Sequence, residues 1–173
     1  MHILDTERLH LRTIGEEDAP FYLELLNSEP FIAHIGDRGI RTLSAAREAI
    51  AAGPVAMQQA RGHSIYVLEL KQGAQPIGMA GLIKRDTLEH VDLGYALLPA
   101  YFGRGYATEA ARALLAHARH TIGLRRLLAI TSPGNDASHA LLLKIGMRYD
   151  GLAQLGGETP AVRLYAIEWL PED

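Results

Sequence analysis

A chain of 173 residues is long enough for one domain with a substantial core and short for two. Hydrophobic residues make up 48% and charged residues 21%, which excludes a disordered chain, and a formal net charge of -3 leaves no basic footprint for nucleic acid. No apolar run approaches the ~20 residues of a bilayer span. The start, Met1 to Glu7, lacks the basic and apolar regions of a signal peptide, and the absence of Cys removes disulfides, thiolate nucleophiles and Cys-ligated zinc. A cytoplasmic location is expected.

Arg8 to Thr13 alternates polar and apolar residues and predicts a strand with one buried face. Glu16-Glu17-Asp18 ahead of Phe21, Tyr22, Leu25 and Leu26 predicts a short helix. Asn27 to Arg41, with Pro30, Gly36 and Gly39, reads as a long loop. Thr42 caps a second helix to about Ala52, and Gly53-Pro54 breaks it, with a further turn or two to Ala60. The period then changes to two. Strands over Ser64–Leu70, Gln75–Lys84 and Val91–Leu98 form an antiparallel meander. A long helix from about Arg104 to His120 follows, then a strand over Arg126–Thr131. Asp136–Ile145 is a helix stopped by Gly146, and strands over Met147–Ala153 and Val162–Trp169 close the chain. The order predicts an α+β fold, with a mixed, mostly antiparallel sheet of about seven strands flanked by about four helices, in a single domain over 1–173.

The junction Leu98-Pro99-Ala100-Tyr101-Phe102-Gly103-Arg104-Gly105-Tyr106-Ala107-Thr108-Glu109 is the most informative stretch. A strand stops at a proline, two glycines follow one residue apart, and a helix begins at once. Glycine lets the backbone approach a ligand closely. The first amides of the helix lack intrahelical acceptors and carry the positive end of its dipole. Such a turn holds a phosphate or pyrophosphate. A P-loop is excluded, because Gly-Lys-Ser/Thr occurs nowhere in the chain. A dinucleotide loop requires a third glycine where Thr108 stands.

The same string resembles the Gln/Arg-x-x-Gly-x-Gly/Ala signature of the GNAT superfamily of N-acetyltransferases. Gly105 and Ala107 fill its last two positions, and Phe102 stands where Gln or Arg is usual. An aromatic there is similar to the RimJ/RimL-type branch. The resemblance extends over almost the whole chain. It takes in Thr6-Glu7-Arg8-Leu9-x-Leu11-Arg12, Ile35-Gly36-Asp37-Arg38-Gly39-Ile40-Arg41-Thr42, Pro76-Ile77-Gly78-x-Ala80-Gly81-Leu82 and Asn135-x-x-Ser138-x-x-Leu141-Leu142-x-Lys144-Ile145-Gly146-Met147.

The resemblance implies the GNAT fold, with a V-shaped splay between the two central strands, and acetyl-CoA as co-substrate without a metal. Backbone groups of Tyr95 and Leu97 would pair with the pantetheine arm, and the loop at Phe102, Gly103, Arg104, Gly105, Ala107 and Thr108 would hold the pyrophosphate. A bulky residue at position 105 is expected to block that phosphate. The Arg104 side chain has two readings, a charge near the phosphates or a solvated helix start. Asn135 likewise reads as a helix cap or as a contact to the cofactor arm. Ser138 matches a position near the sulfur. Leu142 stands where many relatives carry a tyrosine acid, so Ser138 is the matched group left to assist the departing thiolate. Asp92 matches an acidic position suited to a general base, with Glu89 and His90 as weaker choices and a structural carboxylate as the alternative. His117 and His120 read as a surface pair, with no metal set of recognisable spacing.

The implied activity is direct attack of a primary amine on the thioester in a ternary complex. The acceptor would be a small-molecule amine or a protein N-terminus, with that of a ribosomal protein as one case. It would enter between Glu29–Arg41 and Gly151–Val162. The family admits homodimers, though no sequence stripe marks an interface. The alternative is a non-catalytic acyl-CoA-binding or sensing domain.

Overall fold

A computed structural model describes residues 1–171. The strands are β1 (His2–Asp5), β2 (Leu9–Thr13), β3 (Ile65–Leu70), β4 (Pro76–Ile83), β5 (Asp92–Leu97), β6 (Arg126–Thr131), β7 (Arg148–Ala153) and β8 (Val162–Glu168). They form one eight-stranded sheet in the order β1-β2-β3-β4-β5-β6-β8-β7. All neighbours are antiparallel except β5 and β6, which run parallel. The helices are α1 (Ala19–Leu26), α2 (Glu29–His34), α3 (Leu43–Ile50), α4 (Ala56–Arg61), α5 (Tyr106–His117) and α6 (Asp136–Lys144). The expected α+β class and mixed sheet are therefore observed, with one strand more than the seven expected.

The extra strand is β1. Its sequence, His-Ile-Leu-Asp, is too short for an alternation to show, and it is ordered by pairing with β2. The second departure is α2, which lies inside the expected loop. Pro30 sits in the first turn of α2, where its missing N–H is no loss, and Glu29 beside it suits the helix dipole. The third is Gly53-Pro54, which does not end the helix. α3 runs through a π-helical turn, Ala51–Val55, directly into α4. The wider turn absorbs the proline ring and its missing donor. The caps at Thr42 and Asn135 are as expected: their side-chain oxygens accept the N–H of Ala45 at 3.1 Å and of Ser138 at 3.2 Å.

Two hydrophobic layers cover the sheet. On one face Leu93, Leu97, Leu127 and Tyr165 pack with Ala110, Ala111 and Leu114 of α5 and Leu142 of α6. On the other, Val67 and Met79 pack with Leu25 of α1 and with Ala46 and Ile50 of α3. A smaller cluster of Leu88, Leu128 and Ala166 continues that second face across β6 and β8. The sheet is thus a wall between two sides, and a ligand that reaches both must pass between strands.

Candidate active site

Such a passage exists at the parallel pair. β5 and β6 are joined at Asp92–Leu128 and Leu93–Ala129, and from Gly94 onward β5 has no partner on that edge among the described residues. This is the expected V-shaped splay. Its exposed groups follow from strand alternation. Leu98 donates to Ile77 on the β4 side, so Ala96 and Gly94 face β4 as well. Tyr95 and Leu97 then turn their N–H and C=O into the gap, in phase with Val91, whose carbonyl accepts from Leu128. Side chains alternate too: Tyr95 and Leu97 lie on the α5 face, and Asp92, Gly94 and Ala96 on the other. The Thr131 hydroxyl, on the β6 wall, is buried without a hydrogen-bond partner among the described residues.

The gap opens onto the N-terminus of α5. Gly103 and Gly105 have φ of 72° and 81°, a left-handed conformation that favours glycine. Gly105 is the N-cap, and the helix begins at Tyr106. The loop is fixed from a distance. Glu109 accepts from the Thr6 hydroxyl at 2.6 Å, the Arg8 amide at 2.8 Å and Arg8 Nε at 2.7 Å. Arg8 Nη1 donates to the Arg104 carbonyl at 2.9 Å, and its guanidinium lies 4.2 Å over the Tyr106 ring. Partial burial pushes the Glu109 carboxyl up, but the bonds from Thr6 and Arg8 outweigh it and hold the group below its usual range. Arg8 and Glu109 position this loop, and although each stands in a stretch quoted above, nothing in the sequence pairs them. Their partnership spans about a hundred positions and has no local signal.

On the α5–α6 face, the Tyr95 hydroxyl and Ser138 Oγ are 2.5 Å apart. Burial pushes the Tyr95 phenol up to about 12, with the Ser138 bond opposing, so it is a neutral hydroxyl at physiological pH. Ser138 is placed twice, by that bond and by the Asn135 cap on its own amide. Leu142, one turn further along α6, is buried in the core. Across the sheet, Asp92 is fully buried and faces Arg85, with Oδ2 2.9 Å from Nε. Burial pushes its carboxyl above the ordinary value, and the charge and hydrogen bond of Arg85 oppose that rise.

The β5–β6 gap, the glycine turn, Ser138, Asp92 and Arg85 share one cavity of about 800 Å3. Of the residues singled out from sequence, it is lined by Asp92, Tyr95, Leu97, Phe102, Gly103, Gly105, Ala107, Thr108, Asn135 and Ser138. Arg104 is not among its walls; its guanidinium lies 5.8 Å from the Tyr101 ring. Phe31, His34 and Arg38 close the cavity from the α2 side, and Leu155 and Val162 from the β7–β8 side. His34 Nδ1 reaches Ser132 Oγ at 3.2 Å, which ties α2 to the end of β6.

Of the two histidines read as a surface pair, His120 is exposed. His117 is half-buried, and burial together with nearby His63 pushes its imidazole below its ordinary value. Away from the cavity, His2, Asp5 and His10 bring ligand-type atoms within 4.8 Å of one another, with His10 Nδ1 2.6 Å from Asp5 Oδ1. That group depends on β1, which the sequence did not announce.

Comparison with known proteins agrees with this geometry. The profile of the acetyltransferase (GNAT) domain matches residues 8–148. YoaA of Bacillus subtilis, named as an uncharacterized N-acetyltransferase, is 26% identical over 152 residues, 87% of this chain and 85% of that protein. The crystal structure of an acetyltransferase from Agrobacterium tumefaciens superposes with a TM-score of 0.81 at 30% identity, covering 96% of this chain and 94% of that one. RimL, a ribosomal L7/L12 alpha-N-protein acetyltransferase solved with coenzyme A, superposes with a TM-score of 0.80 at 19% identity, covering 97% and 98%. At that identity the likeness is one of fold.

Proposed function

The chain belongs to the acetyltransferase (GNAT) family, and from that premise we propose that it is an acetyl-CoA-dependent N-acetyltransferase of the RimJ/RimL type, a cytoplasmic single-domain enzyme. The observation that carries the reading is the half-open β5–β6 pair. It leaves the backbone of Tyr95 and Leu97 unpaired beside the free amides of the α5 N-terminus. The pantetheine arm, which carries amide groups, completes the missing ladder as an added strand would. The pyrophosphate rests on the amides of Gly103, Gly105, Ala107 and Thr108, where the helix dipole favours negative charge. RimL, its structural neighbour, was solved with coenzyme A.

The acetyl group then sits in the gap between the two faces. The amine approaches from the Asp92 face and attacks the thioester carbonyl, and the Leu97 N–H steadies the oxyanion. Asp92 takes the amine proton. Its burial favours the protonated form, which raises its basicity towards the working pH. The thiolate leaves on the α6 face, where the Ser138 hydroxyl, held by Tyr95, donates a hydrogen bond to sulfur. Most of the acceleration comes from holding two reactants in line.

A thiol-release assay with acetyl-CoA and a panel of amines and N-terminal peptides, with the acetylated product identified by mass, tests the reading. Turnover of one or more amines is expected. Tight acetyl-CoA binding with no turnover of any amine would instead support a non-catalytic acyl-CoA-binding domain.

A further inference from the structure

The acceptor side of the cavity is apolar and positively biased. Phe31, Ile35, Ile65, Ile83, Leu155 and Val162 supply its apolar walls. Among the described residues that line the cavity, the only carboxylate is Asp92, and it already faces Arg85 through two contacts of 2.9 and 3.4 Å. Arg38 also lines the cavity and makes no hydrogen bond or ion pair to any described residue. Its neighbours on the loop answer each other instead: Asp37 pairs with Arg41 at 2.6 Å. The charge that Arg38 brings to the rim is therefore uncompensated, and the buried ion pair adds nothing to offset it.

Resting on the transferase reading above, we propose that the acceptor is a primary amine with an apolar body and an anionic group, and that Arg38 is the residue that selects it. Polyamines and aminoglycosides are rejected. A polycation requires several free carboxylates, and this cavity offers one, already neutralised. An amine bearing a carboxylate places its apolar body against Phe31 and Ile35 and its charge against the Arg38 guanidinium, whose planar fork suits two carboxylate oxygens. The attacking nitrogen then points towards Asp92. The same charge arrangement gives discrimination in both directions, since the cation that attracts an anion repels an ammonium group.

The test uses the intact chain and matched acceptors: leucine, leucinamide and spermidine, with Leu-Asp amide and Leu-Lys amide to separate a free carboxylate from an acidic side chain. The readout is kcat/KM for each, measured over a pH series so that the differing amine basicities are corrected. Wild type is expected to prefer the anionic member of each pair by about tenfold or more, within the range of a charged hydrogen bond. Preference for leucine assigns the free carboxylate, and preference for Leu-Asp amide assigns the acidic side chain. Arg38→Gln is expected to collapse the anionic-to-neutral ratio about tenfold, and Arg38→Glu to move preference towards spermidine. Spermidine as the best wild-type acceptor, or a ratio that Arg38→Gln leaves intact, overturns the proposal while the transferase stands. Acetyl-CoA binding with no acceptor turned over would overturn the transferase reading itself, and the proposal with it.

Discussion

The two sides of the sheet are built in different ways. The α5–α6 side is made of backbone: an unpaired strand edge, two left-handed glycines and two helix N-termini, locked by the Arg8–Glu109 bonds. The α2 side is made of side chains on short elements, Phe31, His34 and Arg38 opposite Leu155 and Val162. Backbone geometry serves any ligand with the same handle. Individual side chains serve one ligand. The difference assigns the shared cofactor to the first side and the variable acceptor to the second.

The largest expected effect separates the sides by kinetic parameter. Asp92→Asn is expected to lower kcat by ~10²-fold or more, within the usual range for a lost base, with acetyl-CoA affinity nearly unchanged. Full kcat across pH 6–9 would make Asp92 only the structural partner of Arg85.

On the cofactor side, Glu109→Ala strips partners from Thr6 and Arg8. It is expected to destabilise the fold by about 1–3 kcal/mol and to weaken acetyl-CoA binding through a loosened loop. Because the Glu109 carboxyl is held below its usual 4.5, its stabilising contribution is complete above that pH. It is lost as pH falls through the lowered value. Melting curves of wild type and Glu109→Gln are expected to converge only in acid; a constant offset down to the lowest pH would argue that the carboxylate charge is irrelevant.

Ser138→Ala probes the boundary between the sides. A bond to a developing thiolate strengthens in the transition state, so kcat and kcat/KM are expected to fall together by about tenfold, with acetyl-CoA affinity nearly preserved. Unchanged kinetics with a slightly lower Tm would leave Ser138 as an early-helix residue only. The smallest effect is a shift in profile. Arg85 holds the Asp92 carboxyl down against burial. Arg85→Gln is therefore expected to raise it further and move the acid limb of kcat/KM to higher pH. A limb that stays in place, or moves lower, would place the essential base elsewhere.

How much was legible follows the same division. The β5–Gly-Arg-Gly–α5 junction could be read because glycine, proline and helix periodicity are local signals. The caps at Thr42 and Asn135 were legible for the same reason. β1 was missed because four residues cannot show a period, and α2 because Pro30 reads as a breaker until its place in a first turn is seen. The Arg8–Glu109 anchor, the Tyr95–Ser138 bond and the Asp92–Arg85 pair lie in three-dimensional contacts that no spacing rule encodes.

The central claim is that acetyl-CoA lies in the β5–β6 gap with its pyrophosphate on the first turn of α5. Position 105 is a poor probe of it, contrary to the expectation from sequence. Gly105 has φ of 81°, a backbone conformation that strains any L side chain whatever the space around it, so a substitution there would disturb the loop itself and not the phosphate contact alone. Thr108→Asp is cleaner. The change is nearly isosteric and places a carboxylate in the first turn, where the helix dipole welcomes it, while setting negative charge against the phosphates. The decisive measurement is calorimetric titration of wild type and Thr108→Asp with acetyl-CoA, alongside the Tm of each. Wild-type binding, with affinity lost by ~10²-fold or more in the variant at an equal or higher Tm, is the predicted result, a loss of the size expected for a charge interaction in a partly desolvated site. Undiminished binding by Thr108→Asp, or no binding by wild type, would contradict the placement.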